Sequence, residues 1–188
     1  MKKSLSIFGK SAVLAVVLLP FAAHAADDQG VYGTLSLGWT KYHLSGLGGC
    51  GGCSIDDTDK AWSFGLGDRI NKYVAVEGGY TNLGKASVSG GGAAASEKVY
   101  ALYLGVVGIL PVSETVDLSA TVGETDWDGN TSCNFTPCDS DNNKHDIYYG
   151  IGASYAVTKQ VSIGLNLNRY NLSGDHADVV AARLQYQF

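Results

Sequence analysis

Apolar and polar residues alternate with a period of two in eight stretches of the chain, at 31–42, 60–69, 73–83, 97–110, 115–126, 146–156, 160–171 and 177–188. That period belongs to extended backbone, so the stretches predict strands and not helices. In the last one Val180, Ala182, Leu184, Tyr186 and Phe188 share one side, and Val179, Ala181, Arg183, Gln185 and Gln187 the other. Each stretch is near the roughly 9–11 residues with which a tilted strand crosses a bilayer. A soluble barrel would turn its apolar side inward and fill the other with Lys and Glu. Here the second side is small, polar and mostly uncharged, with Gly38, Gly65, Gly67, Gly79, Gly105, Gly123, Gly150, Gly152 and Gly164 on it. Small residues suit the narrow interior of an eight-stranded barrel whose apolar side faces lipid.

The connections alternate as well. Tight turns are expected at Asn71-Lys72, Pro111 to Glu114 and Thr158-Lys159, while the other connections are generally longer and polar. Short turns at one rim and long loops at the other are the mark of an all-β, antiparallel, up-and-down transmembrane barrel.

The N-terminus agrees with export. Met1-Lys2-Lys3 is a positive leader, Ser11 to Phe21 an apolar stretch, and Ala23-His24-Ala25 a small-residue cleavage box. Residues 1–25 are therefore expected to be a cleaved signal peptide and 26–188 the barrel domain. The apolar stretch is shorter than the roughly 20 residues of a spanning helix. Removing the leader takes away Lys2, Lys3 and Lys10, leaving 10 basic against 18 acidic side chains of the original 13 and 18, a net charge of −8. Nucleic acid is excluded as a partner on that balance.

A periplasmic N-terminus fixes strand direction. Trp39, Trp62, Tyr80, Tyr100 and Tyr149 then fall near the outer end of the oily side, and Tyr155, Tyr186 and Phe188 near the inner end. Two aromatic girdles are expected.

The run from Gly67 to Gly84, which holds Arg69-Ile70-Asn71-Lys72-Tyr73 and Glu77-Gly78-Gly79-Tyr80, resembles the strand–turn–strand signature of OmpA-like and opacity-type outer-membrane barrels. Asp68 stands where that family more often has an aromatic residue. The terminal Tyr186-Gln187-Phe188 is similar to the family's C-terminal assembly signal, which the resemblance implies is read by the barrel-assembly machinery. The chain stops at Phe188, so a barrel-only member is expected. The resemblance also implies a lumenal plug of one carboxylate and basic side chains, and Glu77 and Arg183 occupy matching strand positions. Counted from the inner rim, Glu77 lies five residues above Lys72 and Arg183 five above Phe188, hence at similar height. Asp117 is the expected competing partner for Arg183.

Cys50 and Cys53 lie in the first outer loop, Cys133 and Cys138 in the third. Four cysteines allow three pairings, and an oxidising compartment favours disulfides over zinc. Loops one and three leave the barrel on opposite sides, so local bonds 50–53 and 133–138 are expected. His43, His145 and His176, with Ser45, Asp146, Asp175 and Asp178 near them in sequence, could suggest a hydrolase. Polar loops contain such residues without catalysis, and no motif of an outer-membrane enzyme accompanies them. Asp56, Asp57, Asp59, Asp126, Asp128, Asp139 and Asp141 lack calcium-loop spacing and read as a solvated rim facing lipopolysaccharide-bound cations.

The expectation is therefore a monomeric protein of the bacterial outer membrane, in contact with its lipid and lipopolysaccharide, without cofactor, metal or catalytic residues. Its role is read as structural or as adhesion-type interaction with host or cell-surface ligands through the loops. A narrow porin or small-solute channel is the alternative, and a rim enzyme the third reading.

Overall fold

The computed structural model describes residues 29–43, 54–90, 93–133, 142–172 and 174–188. They form the strands β1 (Gly30–His43), β2 (Ser54–Asp56), β3 (Thr58–Asn71), β4 (Val74–Gly90), β5 (Ala93–Pro111), β6 (Val116–Cys133), β7 (Asn142–Ala156), β8 (Val161–Leu172) and β9 (Asp175–Gln187). β2 pairs only with β4, and β3 follows it after Asp57, so the two make one interrupted barrel strand. The remaining antiparallel pairs follow chain order, and β1–β9 closes the ring. This is a closed eight-stranded barrel. Among the described residues no helix is long and apolar enough to cross a membrane.

Alternation sets the two faces. Leu35, Leu37 and Trp39 on β1, Leu102, Leu104 and Val106 on β5, and Ile163, Leu165 and Leu167 on β8 all point out and are exposed. Such a wall is stable only against lipid. Between them Tyr32, Thr34, Ser36, Thr40 and Tyr42 on β1 turn inward and are buried.

All three inner turns use one device. Asn71 Oδ1 accepts from the backbone N–H of Tyr73 (2.8 Å) and Val74 (3.0 Å). Ser113 Oγ does the same for Thr115 and Val116, and Thr158 Oγ1 for Gln160 and Val161. A short polar side chain thus replaces the missing ladder partner at each reversal.

The outer side departs from the expected boundaries at two places. β6 continues to Cys133 where an end at 126 was expected, so Cys133 closes a strand and does not lie in the loop, and the β4–β5 connection changes character. The β4–β5 ladder continues to Gly90 opposite Ala93, so the second outer connection is a long hairpin where a loop over 84–96 was expected. Its register shifts between Asn82 and Gly84. Gly84 has φ +81°, and a Cβ there would meet Lys60 O at 2.8 Å, which only glycine avoids. Asn82 Oδ1 accepts from Gly84 N (2.8 Å) and Asp59 Oδ2 from Lys85 N (2.7 Å), fixing the bulge. Beyond it the inward positions change parity: Thr81 and Leu83 are buried before the bulge and Ala86 after it. A strict two-residue period therefore ends at 83 although the strand does not.

Candidate functional site

The lumen is the first place where an eight-stranded barrel could act. Glu77 on β4 and Arg183 on β9 meet there, with Arg183 Nη2 donating to Glu77 Oε2 and Nη1 to Oε1. Tyr32 donates its hydroxyl to Oε2 and Tyr103 to Oε1, each at 3.1 Å. The carboxylate, 5% exposed as a residue, is thus surrounded by a guanidinium fork and two phenols. The rings need room. A Cβ on Gly67 would run into the Tyr32 ring and one on Gly65 into the Tyr103 hydroxyl, which explains why glycines face these tyrosines.

Asp117 does not join this group. Its Oδ2 accepts from Arg69 Nη2 at 3.0 Å, so its partner is Arg69 on β3 and the expected competition for Arg183 is corrected. Arg69 shares the inward parity of Gly65 and Gly67, and that parity was the signal available for it.

The interior also differs from the small, polar lining expected. Tyr42, Leu83, Val99, Trp127, Tyr148 and Tyr170 are buried together with Ala61, Ala101, Ala177, Val179 and Ala181 in one apolar cluster filling the outer half of the lumen. Tyr103 and Tyr148 pack edge to face at 5.6 Å, and Tyr148 stacks on Tyr170 at 5.4 Å. A second cluster of Tyr32, Ala75 and Val107, with Ile109 against it, lies toward the inner end. Between them a polar cavity of about 20 Å³ is lined by Ser36, Ser63, Glu77, Asn166, Asn168 and Arg183, among others. That volume holds about one water molecule.

Outside, Trp62, Phe64, Tyr80 and Tyr100 form one aromatic cluster on β3, β4 and β5, with Trp62 and Tyr80 5.5 Å apart. Trp39, Tyr149 and Tyr155 are exposed on the same wall, as are Tyr186 and Phe188, whose rings pack edge to face at 5.3 Å.

At the outer rim the histidines separate. His43 and His176 stack at 4.4 Å near Asp178, whereas His145 lies beside Asp126 at 4.0 Å. Arg169 holds Asp178 through two hydrogen bonds of 2.6 and 2.7 Å, and this keeps the Asp178 carboxyl below its ordinary range. Across the mouth burial, and then Asp175, push the Glu97 carboxyl up. Cys50, Cys53, Cys138, Ser45, Asp139 and Asp141 lie outside the described residues. Cys133 ends β6 opposite Ala95.

A closed antiparallel barrel with an oily outer wall, aromatic clusters on that wall and a side-chain-filled interior defines an integral protein of the bacterial outer membrane. The chain belongs to the family described as outer membrane protein beta-barrel domain, whose model it matches over residues 11–188. Outer membrane protein A of Salmonella typhi is 30% identical over 178 residues, covering 90% of this chain and 50% of that protein. Outer membrane protein A of Escherichia coli O157:H7 is 29% identical over 165 residues, covering 86% and 47%. The chain therefore spans about half the length of these relatives. The fold is shared with Ail, the attachment invasion locus protein of Yersinia pestis, at TM-score 0.57 and 16% identity over 85% of this chain and 99% of that one. It is shared too with the N-terminal β-barrel domain of Pseudomonas aeruginosa OprF, at TM-score 0.56 and 11% identity over 86% and 100%.

Proposed function

We propose that the chain is an anchored display scaffold: the barrel holds itself in the outer membrane, and its outer loops and hairpins make adhesion-type contacts at the cell surface. The observation that carries this reading is the filled lumen, which leaves the extracellular end as the working surface. Strands β4, β5 and β6 have 17, 19 and 18 residues. A bilayer needs only about 9–11, so their outer ends stand clear of the membrane. Ail has been crystallised with the heparin analogue sucrose octasulfate. Here Asp56, Asp59, Glu97, Asp126 and Asp128 sit on the outer parts of the strands, which favours a basic or neutral partner over such a polyanion. In this reading residues 1–25 are cleaved and the barrel inserts as a monomer through its C-terminal signal. Disulfides 50–53 and 133–138 staple loops one and three, and lipopolysaccharide surrounds the wall.

The test displays the chain on non-adherent bacteria and replaces residues 44–53 and 134–141 by glycine-serine linkers. Heat-modifiable gel mobility reports that both versions are folded. Adherence to epithelial cells should fall severalfold on replacement. Equal adherence with and without the native loops would contradict the display role.

A further inference from the structure

We propose that His43, His176 and Asp178 form a binding site for a divalent cation of the zinc class, on the outer wall of the barrel directly above its apolar band. His43 on β1 and His176 on β9 are cross-strand partners, and Asp178 lies two residues nearer the membrane on β9. All three share the outward parity of Trp39 and Val180, which belong to the lipid-facing wall just below. One ligand atom from each lies within 4.8 Å of the other two.

The donors fit the metal class. Two imidazole nitrogens and one carboxylate oxygen suit zinc, copper or nickel, whereas calcium and magnesium prefer oxygen alone. Tetrahedral zinc with nitrogens at about 2.0–2.1 Å separates its ligand atoms by about 3.3 Å. The His43 Nδ1 to Asp178 Oδ2 distance is already 3.7 Å. The two rings now lie nearly parallel, at 9°, so binding requires them to tilt toward a common point. His43 is exposed and free to turn, while the paired strands beneath stay fixed. Arg169 on β8 orients the third ligand through its two hydrogen bonds to Asp178. Carboxylate oxygens have a second lone pair each, so this fork supports coordination as carboxylates support zinc-bound histidines elsewhere. Arg169, and Lys41 opposite Asp178 on β1, also place positive charge nearby, which holds the affinity to a modest level. The fourth position faces solvent, and water or an external donor completes the sphere.

The experiment uses the tag-free mature chain, folded in detergent micelles with its cysteines alkylated so that thiolates cannot compete. Zn²⁺ is titrated calorimetrically, and Co²⁺ is followed by visible absorption, which reports coordination directly. One equivalent should bind per chain. His43→Gln and His176→Gln should each weaken binding by at least about tenfold, the scale on which even supporting groups of metal sites act. Asp178→Asn should weaken it less, and His145→Gln should leave it unchanged. Gel mobility confirms that each variant remains a folded barrel. Binding unaffected by the double His43→Gln, His176→Gln variant would overturn the site. So would weak multi-equivalent uptake alone, or an equal loss in His145→Gln.

Discussion

In the middle of the lumen Glu77 and Arg183 meet through charged hydrogen bonds capped by Tyr32 and Tyr103, whereas the outer half is packed by Tyr42, Leu83, Val99, Trp127 and Tyr170. Both arrangements fill the lumen, by different physics, and the ionic one borders a cavity with room for about one water molecule. The ionic group demands complete partnership, because a buried charge without a counter-charge is costly. The apolar plug demands only shape and volume, and its polar tips are satisfied at the edge: Tyr42 donates to Leu83 O at 2.9 Å and Trp127 Nε1 to Asp146 Oδ2 at 3.1 Å. Mutations in the first region should therefore be strongly non-additive. Those in the second should scale with the volume removed.

The largest effect is expected at the ion pair. Arg183→Ala should cost about 3–5 kcal/mol, since Glu77 is left buried with only its phenols. The double variant with Glu77→Ala should cost less than either single change, measured by urea unfolding in lipid vesicles. Additive losses would erase the distinction between the two regions.

Next in size is Leu83→Ala, at a residue with no exposed surface. A loss of about 2–5 kcal/mol is expected from transfer and cavity terms together. Filling by a volume-matched Leu83→Met should restore most of it. A loss under about 0.5 kcal/mol, the scale of an ordinary surface change, would mean that the outer half of the lumen is open to water.

Much of this was legible in the sequence, because one physical rule covers the wall. Facing lipid forces every second residue to be apolar, so the strands follow from alternation and the short turns from the gaps it leaves. The bulge was not legible: at Gly84 the inward parity changes, and the period that reveals the strand stops revealing it. The lumen was legible only in part. Glu77 and Arg183 stand out as rare charges on the inward face, but reading that face as small and polar leaves no place for Tyr32, Tyr103, Tyr148 and Tyr170, which are buried inside. A large ring paired across strands with glycine marks Tyr32, Tyr103 and Tyr148, which lie opposite Gly67, Gly79 and Gly123. Arg69 has the inward parity, but its contact with Asp117 joins β3 to β6 and has no local sequence signal. The rim cluster of His43, His176 and Asp178 depends on the β1–β9 register, and closure of the ring, which joins strands more than 130 residues apart in sequence, sets that register.

The smallest effect concerns the mouth, where Glu97 faces Asp175 and is raised by burial. A carboxyl whose folded pKa is raised stabilises the fold below its unfolded pKa, and that contribution is lost as pH rises through the folded value. Glu97→Gln should therefore flatten the pH dependence of the unfolding midpoint just above the ordinary carboxylate range and raise stability slightly at neutral pH. A steeper dependence would place Glu97 in a favourable ionic contact, in contrast to the repulsive acidic mouth inferred from Asp175.

The central claim is that the lumen is filled along its length and that the barrel serves as an anchor. Planar-bilayer recording of the purified, folded chain tests it most directly. The expected result is no steady unitary conductance in the wild type, with any small openings appearing only when the apolar plug and the ion pair are both cut, as in Leu83→Ala combined with Glu77→Ala and Arg183→Ala. Regular ohmic channels in the wild type, unaltered by those substitutions, would contradict it.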